Sequence, residues 1–400
     1  MHGKSLRLTL LLGGLAMLGP FATDTYFPSF PAISREFDVG ALGMQQTLSA
    51  YLLAYSVMSL FLGTLSDSLG RRPIVLFALG LFCIGSVGCA VSGRLSVLLG
   101  FRVLQGLSAG AGMVVGQAVV RDWFSGADAQ RLIANIMMVF GLAPALAPIL
   151  GGWLQVAFGW RASFAFMAIF SVSLIVACIW ALPESLAPAS RRPLHLPAII
   201  RSYISAIVHP HFLLRCLALG CAFGGFALYI SAAPDFVIRI LKLPQTAFGW
   251  LFLPLIGGLV LGSSMSSRLA HRLSGRAMIR MGFGIMAGAA SVNLAYTFFL
   301  NPVVPWAVVP LMLYTFGLAL AVPSMSMMTL GIFPDMRGLA ASLQNFLQML
   351  IFAVISGAVA PALFGSAFKL AAGGSAALLL AAIFWSLGTR HETVPVPAAG

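Results

Sequence analysis

Gly63-Thr-Leu-Ser-Asp67-Ser-Leu-Gly70-Arg71-Arg72-Pro73 is a short charged loop pinned between two apolar runs. Asp67, Arg71 and Arg72 crowd together in a chain with only 8% charged residues. So tight a polar turn means that the chain leaves an apolar medium, turns and goes straight back in. The loop has a degraded echo, Ser267-Arg268-Leu-Ala-His271-Arg272-Leu-Ser274-Gly275-Arg276. Setting Gly63 against Ser267 puts Asp67 on His271 and Arg72 on Arg276, at an offset of 204 residues, about half of 400. The same loop at the same place in two halves points to a duplicated membrane unit.

Composition agrees. The chain is 60% hydrophobic with a mean hydropathy of +0.98, the signature of a polytopic helical membrane protein. Runs of roughly 20 apolar residues, enough to cross a bilayer, lie near 7–30, 45–66, 73–92, 96–119, 132–156, 163–182, 212–234, 246–267, 277–299, 303–331, 339–364 and 371–388. The expected fold is therefore all-α, with twelve transmembrane helices in two pseudo-symmetric six-helix bundles. Residues 1–184 form the first bundle and 211–400 the second. Between them, 185–210 is a cytoplasmic linker rich in Pro, Arg and His, with no sign of a folded domain.

The net charge of +13 invites a nucleic-acid partner, but its placement argues against one. With the N-terminus inside, 16 of the 23 Lys and Arg fall on the inner connections, Arg71, Arg72, Arg121, Arg272 and Arg276 among them. Six fall on the outer ones, and Arg102 stays within a span. This is the positive-inside bias, which puts both termini in the cytoplasm and makes anionic lipid the partner of the excess charge. The five cysteines lie mostly in apolar runs without metal-ligand or disulfide spacing.

Within the spans a few residues break the apolar pattern. Asp24 lies 17 residues past Arg7, about 26 Å along a helix. Pro28 and Pro31 follow it and are expected to kink or end that helix. A carboxylate in low dielectric favours its neutral form, and an ionisable group in a span usually faces a water-filled cavity. Asp24 is thus the candidate proton carrier. Arg102 lies 19 residues before Arg121, about 28 Å, at nearly the same depth. Past it, Gly106, Gly110, Gly112 and Gly116 set a small-residue face that lets another backbone come close. The fifth span holds Gly141, Pro144, Pro148, Gly151 and Gly152, costly locally unless neighbours satisfy the backbone or the helix must bend.

These residues carry a resemblance. Gly63-x-Leu-x-Asp67-x-x-Gly70-Arg71-Arg72 resembles the loop signature between helices 2 and 3 of the major facilitator superfamily. Arg102-x-x-Gln105-Gly106 is similar to its helix-4 motif, and Pro148-x-x-Gly151-Gly152, with Gly141 and Pro144 upstream, to the helix-5 motif of its drug:proton antiporters. Asp24-x-Tyr26-x-Pro28-x-x-Pro31-x-Ile33, with Arg121-Asp122-Trp123, resembles the bicyclomycin/chloramphenicol-resistance branch of those exporters. Ser68 departs from the pattern, which usually has a basic residue there.

The resemblance implies that helices 1 and 4 line a central cavity, so that Asp24 and Arg102 interact and protonation of Asp24 weakens the pair. It implies that Asp67 latches onto the start of helix 11, near Gly338–Ala341, with Arg71 and Asp122 as a second pair on the same face and Arg121 beside them. Candidate substrate contacts are Phe21, Tyr26, Tyr51, Phe223, Phe226, Tyr229 and Tyr314, with Asn135, Met138, Asn345 and Gln348 as polar or pliable neighbours. The expected function is proton-coupled efflux of small amphipathic drugs across an inner membrane by alternating access. The chain would act as a monomer, with no metal and no cofactor beyond the proton gradient. A metabolite, amino-acid or dipeptide transporter of the same fold is the alternative, and a polytopic membrane enzyme a distant one.

Overall fold

The computed structural model describes residues 2–191, 195–270 and 272–390, and among these no strand occurs. Eleven helices are long and apolar enough to cross a membrane, and a twelfth span is a bent pair. In order they are α1 (Leu8–Glu36), α2 (Ala41–Ser59 with Leu62–Leu69), α3 (Arg71–Ala90), α4 (Leu95–Trp123), α5 (Gly126–Phe158) and α6 (Arg161–Ala181). The second half supplies α7 (Pro210–Ser231), α8 (Gly249–Leu269), α9 (Gly275–Phe299), α10 (Val309–Leu330), α11 (Pro334–Leu363) and α12 (Ala367–Thr389).

The duplication is visible in the packing. In the first bundle α1 lies on α5 and α6, α2 on α4, and α3 on α4 and α6. In the second, α7 lies on α11 and α12, α8 on α10, and α9 on α10 and α12. Each pairing is repeated six helices later, as a doubled unit requires. The bundles join along two seams related in the same way, α5 on α8 and α2 on α11.

The breaks follow from local chemistry. Proline has no N–H to donate and crowds the preceding turn. Accordingly α1 runs regularly only to Asp24, passes through a tight turn at Phe27–Ser29, and resumes at Phe30. α5 carries Pro144 and Pro148 and still forms one helix of 33 residues, the packing of its neighbours holding it continuous. α2 bends by 49° between Ser59 and Leu62. The linker, which showed no sign of a folded domain, contains a helix, Leu196–Val208. Its apolar run is too short to span a bilayer, so a search for spans passes over it. It packs on α7 and α11, and Tyr203 donates to the carbonyl of Leu60, at the bend of α2, at 2.7 Å. Burial pushes the Tyr203 phenol above its ordinary range, which keeps it a donor.

The two faces of the molecule differ. On the face opposite the Gly63–Pro73 loop the bundles are bonded to each other. Gln45 Nε2 donates to the Ser231 carbonyl and to Ser356 Oγ, both at 3.0 Å, and Ser49 donates to the Ala353 carbonyl at 2.9 Å. Phe27 meets Phe252 across the same divide. On the loop face the ion pairs stay inside the first bundle, while Met137 and Met138 on α5 and Met265 on α8 are exposed. The protein is sealed toward the opposite face in this conformation.

Candidate functional site: a buried arginine beneath Asp24 and a charged clasp at the loop face

Arg102 is wholly buried on α4, and its surroundings explain how a guanidinium survives there. Nη1 donates to the Ala22 carbonyl of α1 at 2.9 Å and to Gln105 Oε1 at 2.8 Å, and Nε donates to the Thr47 carbonyl of α2 at 3.2 Å. Nη2 reaches the Tyr26 hydroxyl at 3.4 Å. The ring centroids of Tyr26 and Tyr51 lie 4.4 Å and 4.5 Å from the guanidinium carbon. A planar, weakly hydrated cation suits such a site as an ammonium would not. Gln105 is fixed in turn, since its Nε2 donates to Ser86 Oγ on α3 at 2.8 Å. Gly106 lets α4 press on α2, for a Cβ there would collide with the Tyr51 carbonyl. The Arg102-x-x-Gln105-Gly106 spacing is thus one device: a cation, its support and the close approach that delivers the tyrosine.

Asp24 is also buried, at 4% exposure, in the turn of α1 between Ala22 and Tyr26. The expected Asp24–Arg102 pair is not formed in this conformation. The guanidinium is already engaged by Ala22, Tyr26, Thr47 and Gln105, and the neighbouring Thr23 hydroxyl donates back to the Pro20 carbonyl at 3.1 Å. What Arg102 grips is the turn of α1 on both sides of Asp24. Next to it, Gly151 of α5 packs on the Thr25 carbonyl so closely that no side chain fits. Gly152 does the same one residue on, but against the Gln245 carbonyl and Thr246, across the seam to the second bundle. The paired glycines therefore serve one contact inside the bundle and one between bundles. Pro148 is buried, while Gly141 and Pro144 are half-buried.

At the loop face the signature residues form a clasp. Gly70 adopts φ +103°, which L side chains rarely adopt, and a Cβ there would meet Glu184 and Arg191. That turn starts α3 at Arg71, whose backbone N–H donates to Glu184 Oε1 at 2.9 Å, while that of Arg72 donates to Oε2 at 3.2 Å. A carboxylate thus caps the positive end of α3. The Arg71 side chain donates to Asp122 Oδ2 at 3.1 Å and Ser66 Oγ at 2.7 Å, and pairs with Asp67. Asp122 also accepts from Ser185 Oγ at 2.7 Å, and Arg72 Nη2 donates to the Ile179 carbonyl at 2.9 Å. The Arg71–Asp122 pair is as expected. The Asp67 latch on Gly338–Ala341 is not made: past its bend, α2 packs against α3 and α4, which turns Asp67 toward Arg71. Gly63 has open space around it and Arg121 is exposed. In the echo, His271 lies outside the described residues.

The substrate candidates separate into groups. Tyr26 and Tyr51 are fully buried and serve Arg102. Phe21 packs between α5 and α6 on Ala143, Ala147, Phe166 and Phe170. Tyr229 accepts from Asn293 Nδ2 on α9 at 2.8 Å, and Tyr314 donates to the Ala222 carbonyl at 2.9 Å, so both hydroxyls are used inside the second bundle. These five are structural here, because a phenol or ring between packed helices finds its partners before any ligand can. Phe223 and Phe226 touch each other, and Phe223 meets Phe352 of α11. Asn135 and Met138 are exposed on α5, and Asn345 and Gln348 are half-buried on α11. Sequence reading missed Glu184, Ser66 and Gln45. A Glu just after a Pro at a span's end, as in Pro183-Glu184, was the available sign of the first.

Two bundles of six helices joined by a short linker, with a buried charge in the first, are the architecture of an alternating-access membrane transporter. The Major Facilitator Superfamily profile matches residues 12–356, and the chain belongs to that family. It is a multi-pass membrane transporter and not an enzyme. It is 30% identical over 279 residues to the bicyclomycin resistance protein homolog of Haemophilus influenzae, covering 69% of each chain. It is 27% identical to the multidrug transporter MdfA of Yersinia pestis, over 83% of this chain and 81% of that one. The fold matches the partially occluded, inward-open xylose transporter XylE of E. coli with a TM-score of 0.74 at 14% identity, over 98% of this chain and all of the other.

Proposed function

We propose that the protein exports small amphipathic drugs in exchange for protons, across an inner membrane, as a monomer with both termini in the cytoplasm. The observation that carries this reading is Asp24, a lone acid buried in the turn of α1 that Arg102 grips at Ala22 and Tyr26. The names of the drug-resistance relatives support the substrate class, and the clustering of Arg and Lys supports the orientation. The proton gradient is the only energy source required, since a charge moved through 100 mV is worth about 2.3 kcal/mol.

In the sealed state a charge on Asp24 would have no cationic partner among the described residues, since Arg102 holds the α1 turn around it and not its carboxyl. Once the seams exchange and the outer face opens, protonation from that side neutralises Asp24 and relaxes the demand on that turn. Drug bound among Phe223, Phe226, Asn345, Gln348, Asn135 and Met138 then leaves by the open face, and inward release of the proton after the return resets the cycle. The clasp of Asp67, Arg71, Asp122 and Glu184 keeps α2, α3, α4 and α6 moving as one body. The test is a susceptibility panel of an expressing strain, with and without a protonophore, beside Asp24→Asn. Resistance that needs both the gradient and the carboxyl is expected. Gradient-independent resistance, or full proton-driven transport by Asp24→Asn, would sink the coupling.

A further inference from the structure

Among the described residues, five buried side-chain polar atoms have no hydrogen-bond partner, and four of them, Thr25 Oγ1, Ser29 Oγ, Gln155 Oε1 and Ser231 Oγ, lie toward the sealed face. A buried polar group without a partner is normally costly. Their position toward one face has a simple account: these atoms are hydrated when that face is open. Above them a cleft of about 190 Å³ reaches down to Gln45 between Phe30, Met44, Asp235 and Phe364. Gln45 itself is buried to 1% exposure and is the one side chain here with bonds to both a helix end and a helix interior of the second bundle. Those acceptors are the Ser231 carbonyl and Ser356 Oγ. Ser356 lies in a π-helical turn, Ile355–Val359, of the kind often kept at functional places.

We infer that Gln45 is the positioning residue of the outer gate: its amide locks α2 to α7 and α11 when the gate is shut, and yields to water when it opens. The inference rests on alternating access, but not on drugs or protons. Opening replaces both amide bonds by bonds to water and gives the orphaned hydroxyls their missing partners. The lock is therefore strong enough to seal and weak enough to cycle, as a neutral amide is and an ion pair is not.

The test is the reactivity of Ser231→Cys with a membrane-impermeant thiol reagent applied from outside, corrected for the parent with its five cysteines. Ser231 Oγ has no partner, so this replacement removes no bond and keeps the carbonyl that Gln45 uses. Adding Gln45→Ala is expected to raise the labelling rate on the order of tenfold, which corresponds to about 1.4 kcal/mol. Adding Ser356→Ala, which removes one acceptor, should give a smaller rise, and Gln45→Asn a partial return. Equal labelling in all four backgrounds would overturn the inference, whatever the transport assay gives. Conversely, loss of proton-driven resistance with the labelling pattern intact would leave the gate standing and the drug reading to be replaced.

Discussion

Arg102 in the first bundle and Arg215 in the second are both almost completely buried, and the two are used differently. Arg102 is gripped at mid-helix by groups from α1 and α2, against two tyrosine rings, with an acid a turn away. Arg215, equally buried on α7, donates to the Gly388 carbonyl of α12 at 3.1 Å and to the Met328 carbonyl of α10 at 2.9 Å, with Trp385 nearby. The first arginine ties together helices that meet at a buried carboxyl. The second ties down helix ends: Gly388 is one residue from the end of α12 and Met328 two from the end of α10. A duplicated unit thus supplies two copies of a scaffold, and in the first the buried arginine holds a turn that carries a buried acid. The loop echo differs in the same sense in sequence, since His271 stands where the first half has Asp67.

The contrast can be broken by substitution. The largest effect is expected from Asp24→Asn, which should reduce proton-driven resistance to that of a strain without the protein while expression stays intact, as read by drug susceptibility and membrane quantification. Next is Arg102→Lys. It loses the planar stacking and the forked bonds, and should cost about 2 kcal/mol, roughly 30-fold in transport rate. Transport at wild-type rate would place Arg102 with Arg215. Third, Arg215→Lys should lower thermal stability by about 1–3 kcal/mol yet leave the pH profile of transport unchanged, and a shifted profile would give the second bundle a role in coupling. Smallest is Glu184→Gln, which keeps one acceptor oxygen for the Arg71 amide but loses the second, which the Arg72 amide uses, together with the charge at the start of α3, a change of about 1 kcal/mol. It should show as a modest fall in melting temperature with resistance retained.

The sequence by itself determined the twelve spans, their division into two halves, and the residues of the four first-half motifs. Apolar length and the placement of Gly, Pro and Arg are local properties, and the bilayer converts them directly into topology. Tertiary structure decided what those residues touch. Only packing could show that Tyr26 and Tyr51 hold Arg102, that Gly151 and Gly152 look to different bundles, and that Glu184 caps a helix 113 residues away in sequence. It also placed Gln45, an unremarked amide in the second span, against acceptors 186 and 311 residues further on. Hydrogen bonds between helices depend on rotation and depth about axes that no single segment encodes, so residue type named the participants and the fold chose the partners.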